Sequence, residues 1–348
     1  MSFKSIKRTI RKQLGPRLHR LGHASGLMRL EAWLNNRRGA IAFMYHSVAD
    51  ASSSAWIDPR NHVPRDVFAQ QMRFLAEHRT VISLDELVAR IQSGEPVDDG
   101  TVVLTFDDGY LDNLTVAAPI LAEYGLPATV FLPTGYIDRG ETQWVDQAYS
   151  AFRFRTARRL EWGTEPVQRF DLEQFSERER AYRLICDALL ISGAEDRRWL
   201  LDTLCERLQP RSLPPRLSMN WDDVRKFLEV WPGFSVGGHT VEHTDITRLT
   251  VETALQEIRL GLGRIDEELG VKSVHFSFCY GRSCEPVRRL LPSIGLAAAF
   301  GDCSRQPAIN AATSDRFNLP RVEPPSIIDG YDLASSPTNG GLWRRLAP

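Results

Sequence analysis

Long apolar runs are missing from this 348-residue chain, and no stretch approaches the ~20 residues that a membrane-crossing helix needs. Cysteine is scarce and odd in number. Cys186, Cys205, Cys279, Cys284 and Cys303 follow neither zinc-ribbon spacing nor a disulfide framework, which excludes a small stapled scaffold and points to free thiols in a reducing compartment. The first residues show no apolar core followed by a small-residue cleavage site, so a cytoplasmic location is expected. An excess of one charge is also absent, with 43 Lys+Arg against 44 Asp+Glu. With 43% hydrophobic and 25% charged residues, the composition excludes a disordered or collagen-like chain and leaves enough apolar material for a full-sized α/β core.

The neutral total averages two unlike parts. Residues 1–40 carry ten basic side chains against the single acid Glu31, a net of +9, so the whole-chain value of -1 leaves -10 for the rest. Within this leader Phe3, Ile6, Ile10, Leu14, Leu18 and Leu21 recur at spacings of 3 and 4, interrupted at Gly15-Pro16. That is an amphipathic helix pattern, suited to peripheral contact with an anionic membrane surface or to docking on a protein. A nucleic-acid partner is not expected.

From residue 41 the pattern alternates between strand and helix. Ile41–Tyr45 reads as a buried strand ending at His46-Ser47, and Pro64 opens a helical pattern. Thr101–Phe106 is a second strand, a helix is predicted from about Asn113 to Tyr124, and Ala128–Leu132 is the next strand. The rhythm pauses between about 135 and 215 in an Arg-, Glu- and Leu-rich helical excursion. It resumes with a helix capped by Asn220, a strand ending at Gly238, a long helix over about 250–269 and a strand at Val274–Cys279. Short strand-helix-strand units imply mostly parallel pairing.

Three places can carry chemistry. In "TFDDGY", Asp107 and Asp108 sit at the carboxyl end of a strand, where α/β folds present ligands and catalysts. Adjacent carboxylates repel unless a cation or shared proton compensates, although Asp-Asp-Gly also suits an ordinary turn and helix cap. In "GGHTVEH", His239 and His243 are four apart; on a helix they would face the same way and could share one divalent ion with an aspartate. In "HFSFCYGRSC", a strand followed by Tyr280-Gly281 could aim a backbone N–H into a cleft.

The ordered pair Thr105-Phe-Asp-Asp-Gly109 and His239-Thr-Val-Glu-His243 resembles the polysaccharide deacetylases, the NodB-like carbohydrate esterase family 4, over about residues 41–325. The resemblance implies a distorted (β/α) barrel with fewer than eight strands, here with a helical insertion at about 135–215, a leader at 1–40 and an irregular tail at 326–348. It further implies Asp107 as general base and Asp108, His239 and His243 as ligands of a divalent metal ion, usually zinc. Phe278-Cys279-Tyr280-Gly281 matches the family's aromatic-Pro-aromatic-Gly motif with Cys in place of Pro, which makes the Tyr280 backbone N–H the oxyanion donor. No His follows His275, so the late Leu-x-His motif of many members is missing. The poly-N-acetylglucosamine deacetylase-like subgroup instead has an early His, and "FMYHSV" places His46 as the proton donor. Arg321 in "RFNLPRVEP" is the remaining candidate to orient Asp107.

The implied reaction is hydrolysis of N-acetyl groups on an amino-sugar-containing oligo- or polysaccharide, with release of acetate. O-acetyl esters and non-sugar amides are alternative substrates for the same residues, and a noncatalytic glycan-binding protein is the alternative from another class.

Overall fold

The computed structural model describes residues 38–50, 53–163, 166–301 and 308–324. The leader pattern at 1–37, with its expected membrane contact, and the tail from 325 lie outside the described residues. In chain order the main elements are β1 (Ala40–Tyr45), β2 (Ser47–Ala49), β3 (His62–Pro64), α1 (Arg65–His78), α2 (Leu84–Ser93), β4 (Val102–Phe106), α3 (Ala118–Glu123), β5 (Ala128–Leu132), α4 (Thr134–Arg139), α5 (Trp144–Arg153), β6 (Arg159–Trp162), β7 (Gln168–Asp171), α6 (Phe175–Ile191), α7 (Ala194–Leu208), α8 (Trp221–Val230), β8 (Phe234–Gly238), α9 (Val251–Leu269), β9 (His275–Ser277), α10 (Glu285–Leu290), β10 (Ala298–Phe300) and β11 (Ala308–Ile309). No helix among the described residues is long and apolar enough to cross a membrane.

Six strands run parallel in the order β10-β9-β8-β5-β4-β1, and β11 pairs antiparallel with the start of β1. Parallel strands covered on both faces need continuous apolar runs. The "VVLTF" of β4 and "ATVFL" of β5 meet that need, with every residue buried. The two ends of the parallel run meet one short segment: Leu319 bridges to Phe300 of β10, and Val322 bridges to Phe43 of β1. Leu319 N–H donates to Ala299 O at 2.9 Å, Val322 N–H to Ala42 O at 3.0 Å, and Met44 N–H to Val322 O at 2.9 Å. The sheet therefore curls into a distorted (β/α) barrel closed by residues 319–322.

Local chemistry explains where the helices begin and end. Asn220 caps α8 in a reciprocal capping box with Asp223, and Ser83 caps α2 by accepting from Glu86 N–H. The helix predicted from Asn113 starts differently, as a π-helical turn over Asn113–Ala117 that gives way to α3. Ala118 N–H reaches back five residues to Asn113 O, and Pro119 follows without an N–H to continue the ladder.

Residues 135–215 build a separate apolar cluster around Trp144, Ala148, Ile185, Leu189 and Leu204, against which Tyr280 packs. This stretch also holds the antiparallel hairpin β6–β7, whose first strand alternates exposed and buried residues. Cys186, Cys205, Cys279 and Cys284 are free thiols.

Candidate active site

Asp107 follows the last residue of β4, at the carboxyl ends of the parallel strands. His46 follows the last residue of the neighbouring β1, where Tyr45 is registered against Phe106, so the two candidate proton-transfer residues leave adjacent strands side by side. Asp107 N–H donates to Tyr45 O at 2.9 Å and ties the two turns together. Asp108 and Gly109 then adopt left-handed backbone with φ of 72° and 61°. Gly109 makes this turn tight: a Cβ there would come within 2.9 Å of Ile137 Cδ1. Asp108 has a side chain and still takes the strained conformation, of the kind found at ligand-binding turns.

Arg321 reaches Asp107 from the segment that closes the barrel. Its Nη1 donates to Asp107 Oδ1 at 2.7 Å and its Nη2 to Oδ2 at 2.6 Å, a two-pronged ion pair in which Asp107 is 3% and Arg321 1% exposed. The same guanidinium donates to Thr105 Oγ1 at 3.1 Å and to Ser277 Oγ at 2.5 Å. Burial pushes the Asp107 carboxyl up, but Arg321 and His239, with a further contribution from His46, outweigh it and hold the group below the ordinary aspartate value. Asp107 is therefore held as an ionised carboxylate.

Asp108, His239 and His243 converge beside it. Asp108 Oδ1 lies 3.6 Å from His239 Nε2 and 3.0 Å from His243 Nε2. Burial disfavours the Asp108 charge, yet His243, His46 and His239 shift its pKa well down. His239 Nδ1 is 2.7 Å from Ser277 O, an acceptor only, so Nδ1 carries the proton and Nε2 presents its lone pair to the site. Burial is the main cause of the His239 pKa being lowered to about 4, which keeps the ring neutral. Among the described residues, Asp108 Oδ1 is a buried oxygen with no hydrogen-bond partner. An orphaned carboxylate oxygen facing two imidazole nitrogens is what a divalent cation would satisfy, and the His-His-Asp donor set suits zinc.

His243 does not share a helix with His239, contrary to the expectation from their spacing. The loop after β8 turns through left-handed residues at Thr240 (φ 63°) and His243 (φ 50°). Side chains take the place of helical hydrogen bonds. Thr240 Oγ1 accepts from Thr244 N–H at 3.0 Å, and Glu257 Oε1 of α9 accepts from Val241 and Glu242 N–H at 3.1 and 3.0 Å. The imidazoles still meet, with ring centres 5.0 Å apart.

Cys279 offers an alternative third donor, since one potential ligand atom from each of His239, His243 and Cys279 falls within 4.8 Å of the others. Its chemistry favours Asp108 instead. The Cys279 thiol is turned to His239 O at 3.4 Å and Thr240 Oγ1 at 3.5 Å, and burial pushes its pKa well up, away from the thiolate that a metal requires.

Tyr280 sits in a 3-10 turn with φ 60°, and its side chain reaches the site. Its hydroxyl is 2.9 Å from His243 Nδ1 and accepts from Trp144 Nε1–H at 3.2 Å. On the opposite wall, Asn113 Nδ2 donates to His46 O at 2.7 Å, while Asp112 accepts from Ser47 Oγ at 2.5 Å and Val48 N–H at 3.0 Å. The motifs did not reveal Ser277, Trp144 and the Asp112-Asn113 pair. Ser277 contributes both a carbonyl to His239 and a hydroxyl to Arg321, roles that leave no mark in residue spacing.

Comparison with known proteins agrees with this architecture. Residues 94–159 match the family described as Polysaccharide deacetylase. The candidate polysaccharide deacetylase YxkH of Bacillus subtilis (strain 168) is 31% identical over 105 residues, covering 29% of this chain and 35% of that protein. The Poly-beta-1,6-N-acetyl-D-glucosamine N-deacetylase of Escherichia coli (strain K12) is 32% identical over 122 residues, covering 34% of this chain and 16% of that one. These alignments thus span about a third or less of either relative. The structure of IcaB from Ammonifex degensii shares the fold with a TM-score of 0.52 at 17% identity, over 82% of this chain and 91% of that chain. Residues 94–159 are thus similar in sequence to the polysaccharide deacetylases, and the fold of the chain is that of the NodB-type deacetylase structure.

Proposed function

We propose that this protein is a metal-dependent hydrolase that removes N-acetyl groups from an amino-sugar-containing oligo- or polysaccharide and releases acetate. The observation that carries the reading is a buried carboxylate base, Asp107, kept ionised by Arg321 next to Asp108, His239 and His243. The Escherichia coli relative, a poly-β-1,6-N-acetylglucosamine deacetylase by name, makes β-1,6-linked N-acetylglucosamine the first substrate to try.

Asp108, His239 and His243 would hold the ion, which when bound supplies Lewis acidity for the acetyl carbonyl and lowers the pKa of water. Asp107 accepts a proton from the attacking water, and Arg321 keeps its oxygens oriented while it does so. The Tyr280 backbone N–H is the donor assigned to the oxyanion of the tetrahedral intermediate. His46, on the strand beside Asp107, gives a proton to the leaving amine, which departs poorly as an anion. The new carboxyl stays with the acetyl carbon as acetate, and the sugar keeps a free amine.

The test is acetate release from a panel of N- and O-acetylated oligosaccharides, with and without a chelator, alongside Asp107→Asn. Chelator-sensitive acetate release from an N-acetylated sugar, abolished in the variant, is the expected result. A protein that binds metal and glycan but never releases acetate would sink the enzyme reading, and release from O-acetyl esters alone would move the activity to esters.

A further inference from the structure

The phenol of Tyr280 has one proton to give and two lone pairs to offer. Trp144 Nε1 can only donate, so at 3.2 Å it occupies one lone pair. The carbonyl of His243 can only accept, and at 3.3 Å it is within reach of the phenol proton. His243 Nδ1 lies nearer, at 2.9 Å, and with Nε2 kept for an ion it is Nδ1 that carries the proton the phenol oxygen accepts. His243 Nε2 is left as a bare lone pair, 3.0 Å from Asp108 Oδ1. One hydroxyl therefore holds the His243 ring in the orientation that turns Nε2 toward Asp108.

The partner that orients this hydroxyl belongs to the stretch between β5 and β8. Trp144 opens α5 and is fully buried. Arg197 of α7 stacks over it at 5.6 Å and donates to Glu242 O at 2.9 Å, one residue before His243. Two further bonds hold Arg197 itself, from Nε to Leu189 O at 2.9 Å and from Nη2 to Ser192 O at 3.1 Å. The loop bearing His243 is thus gripped twice from that stretch, through Tyr280 and through the Glu242 carbonyl.

From this geometry we infer that the Tyr280 side chain, oriented by Trp144, is the positioning residue for His243, and that residues 135–215 take part in building the metal centre. The inference rests on the metal site proposed above. Partners of metal-bound histidines are worth about 10–100-fold in metal affinity. Tyr280→Phe removes the hydroxyl and keeps the ring, while Trp144→Phe removes the indole donor together with part of a buried ring.

Zinc affinity of the full chain is measured by competition with a chromophoric chelator, together with thermal unfolding of the zinc-free protein. Tyr280→Phe is expected to weaken zinc by about 10–100-fold, Trp144→Phe by less, with far-UV circular dichroism unchanged. The unaltered zinc-loaded protein covers variants that do not fold, because the nitrogen-15 spectrum of its histidines should show a protonated Nδ1 at His243. Zinc affinity of Tyr280→Phe within about twofold of the parent, or an unprotonated His243 Nδ1, overturns the inference and leaves the metal site standing. A parent protein that binds no zinc overturns both.

Discussion

Two buried aspartates, one at the mouth of the barrel and one in the wall beside it, carry opposite charge states. Asp107 is 3% exposed and Asp146 of α5 is 0% exposed, so both lose nearly all contact with water. Asp107 receives a guanidinium fork and ends below the usual aspartate range. Asp146 receives a phenol from Tyr110 at 2.6 Å and an amide from Asp58 at 2.9 Å, and burial pushes it up to about 8. Burial alone therefore does not decide the state of a carboxyl group here. A full positive charge does, and the protein places one at Asp107, the base of the proposed reaction.

The most direct way to break this contrast is to make Asp107 resemble Asp146. Arg321→Met leaves Asp107 buried without its cation, a change of the class that costs about 3–5 kcal/mol of stability. Acetate release should fall by about three orders of magnitude or more, because the base would be protonated at neutral pH. Denaturant unfolding and single-substrate kinetics check the two effects. If the variant keeps wild-type activity at pH 7, the guanidinium does not control the base.

Next in size, Asp107→Asn removes the base while leaving the neighbouring donors in place. Activity should drop by about 10²–10⁴-fold with zinc content unchanged by elemental analysis. Loss of zinc along with activity would instead assign Asp107 to the ion. Zinc at about 100 times its dissociation constant should stabilise the folded chain by about 2.7 kcal/mol, an effect read as a rise in unfolding midpoint and absent in His239→Ala.

The pH dependence of stability sharpens the other side of the contrast. Asp146 is protonated in the folded protein at pH values where the unfolded chain, with an aspartate pKa of about 3.9, has released the proton. Its contribution to stability is fully present below that value and is lost as pH rises toward the folded-state value. Stability should therefore fall across roughly pH 4 to 8, with a slope approaching about 1.4 kcal/mol per unit from this group. Asp146→Asn should flatten the profile in urea titrations. An unchanged profile would mean that Asp146 is ionised, and the contrast with Asp107 would disappear.

Much of this arrangement is legible from residue order. The apolar runs of β4 and β5 and the acidic turn after Phe106 follow from strand burial and from the position of carboxylates at strand ends. His46 is placed by the early strand that carries it. The loop at 239–243 is not legible in the same way, because the groups that cap its amides come from Glu257, far along α9. Spacing of four suggests a helix, and a remote carboxylate cancels that suggestion. Arg321 is recognisable only as a leftover charge near the end of the barrel pattern, and its pairing with Asp107 depends on ring closure. Tyr280 is noticeable for its backbone in sequence, whereas its hydroxyl acquires meaning only once Trp144 and His243 are beside it.

Ring closure has a consequence for how the chain is made. Arg321 follows Asp107 by 214 residues and travels on the segment that joins β10 to β1. During synthesis every strand of the parallel run is available before that segment leaves the ribosome. Until it docks, Asp107 has no guanidinium to hold its charge against burial, and the turn that carries it lacks its deepest anchor. The final step of shutting the barrel is therefore also the step that fixes the charge of the proposed base. A nascent or truncated chain ending at residue 318 would expose sheet edges and leave Asp107 without its ion pair, so the proposed centre is completed only when the fold is sealed.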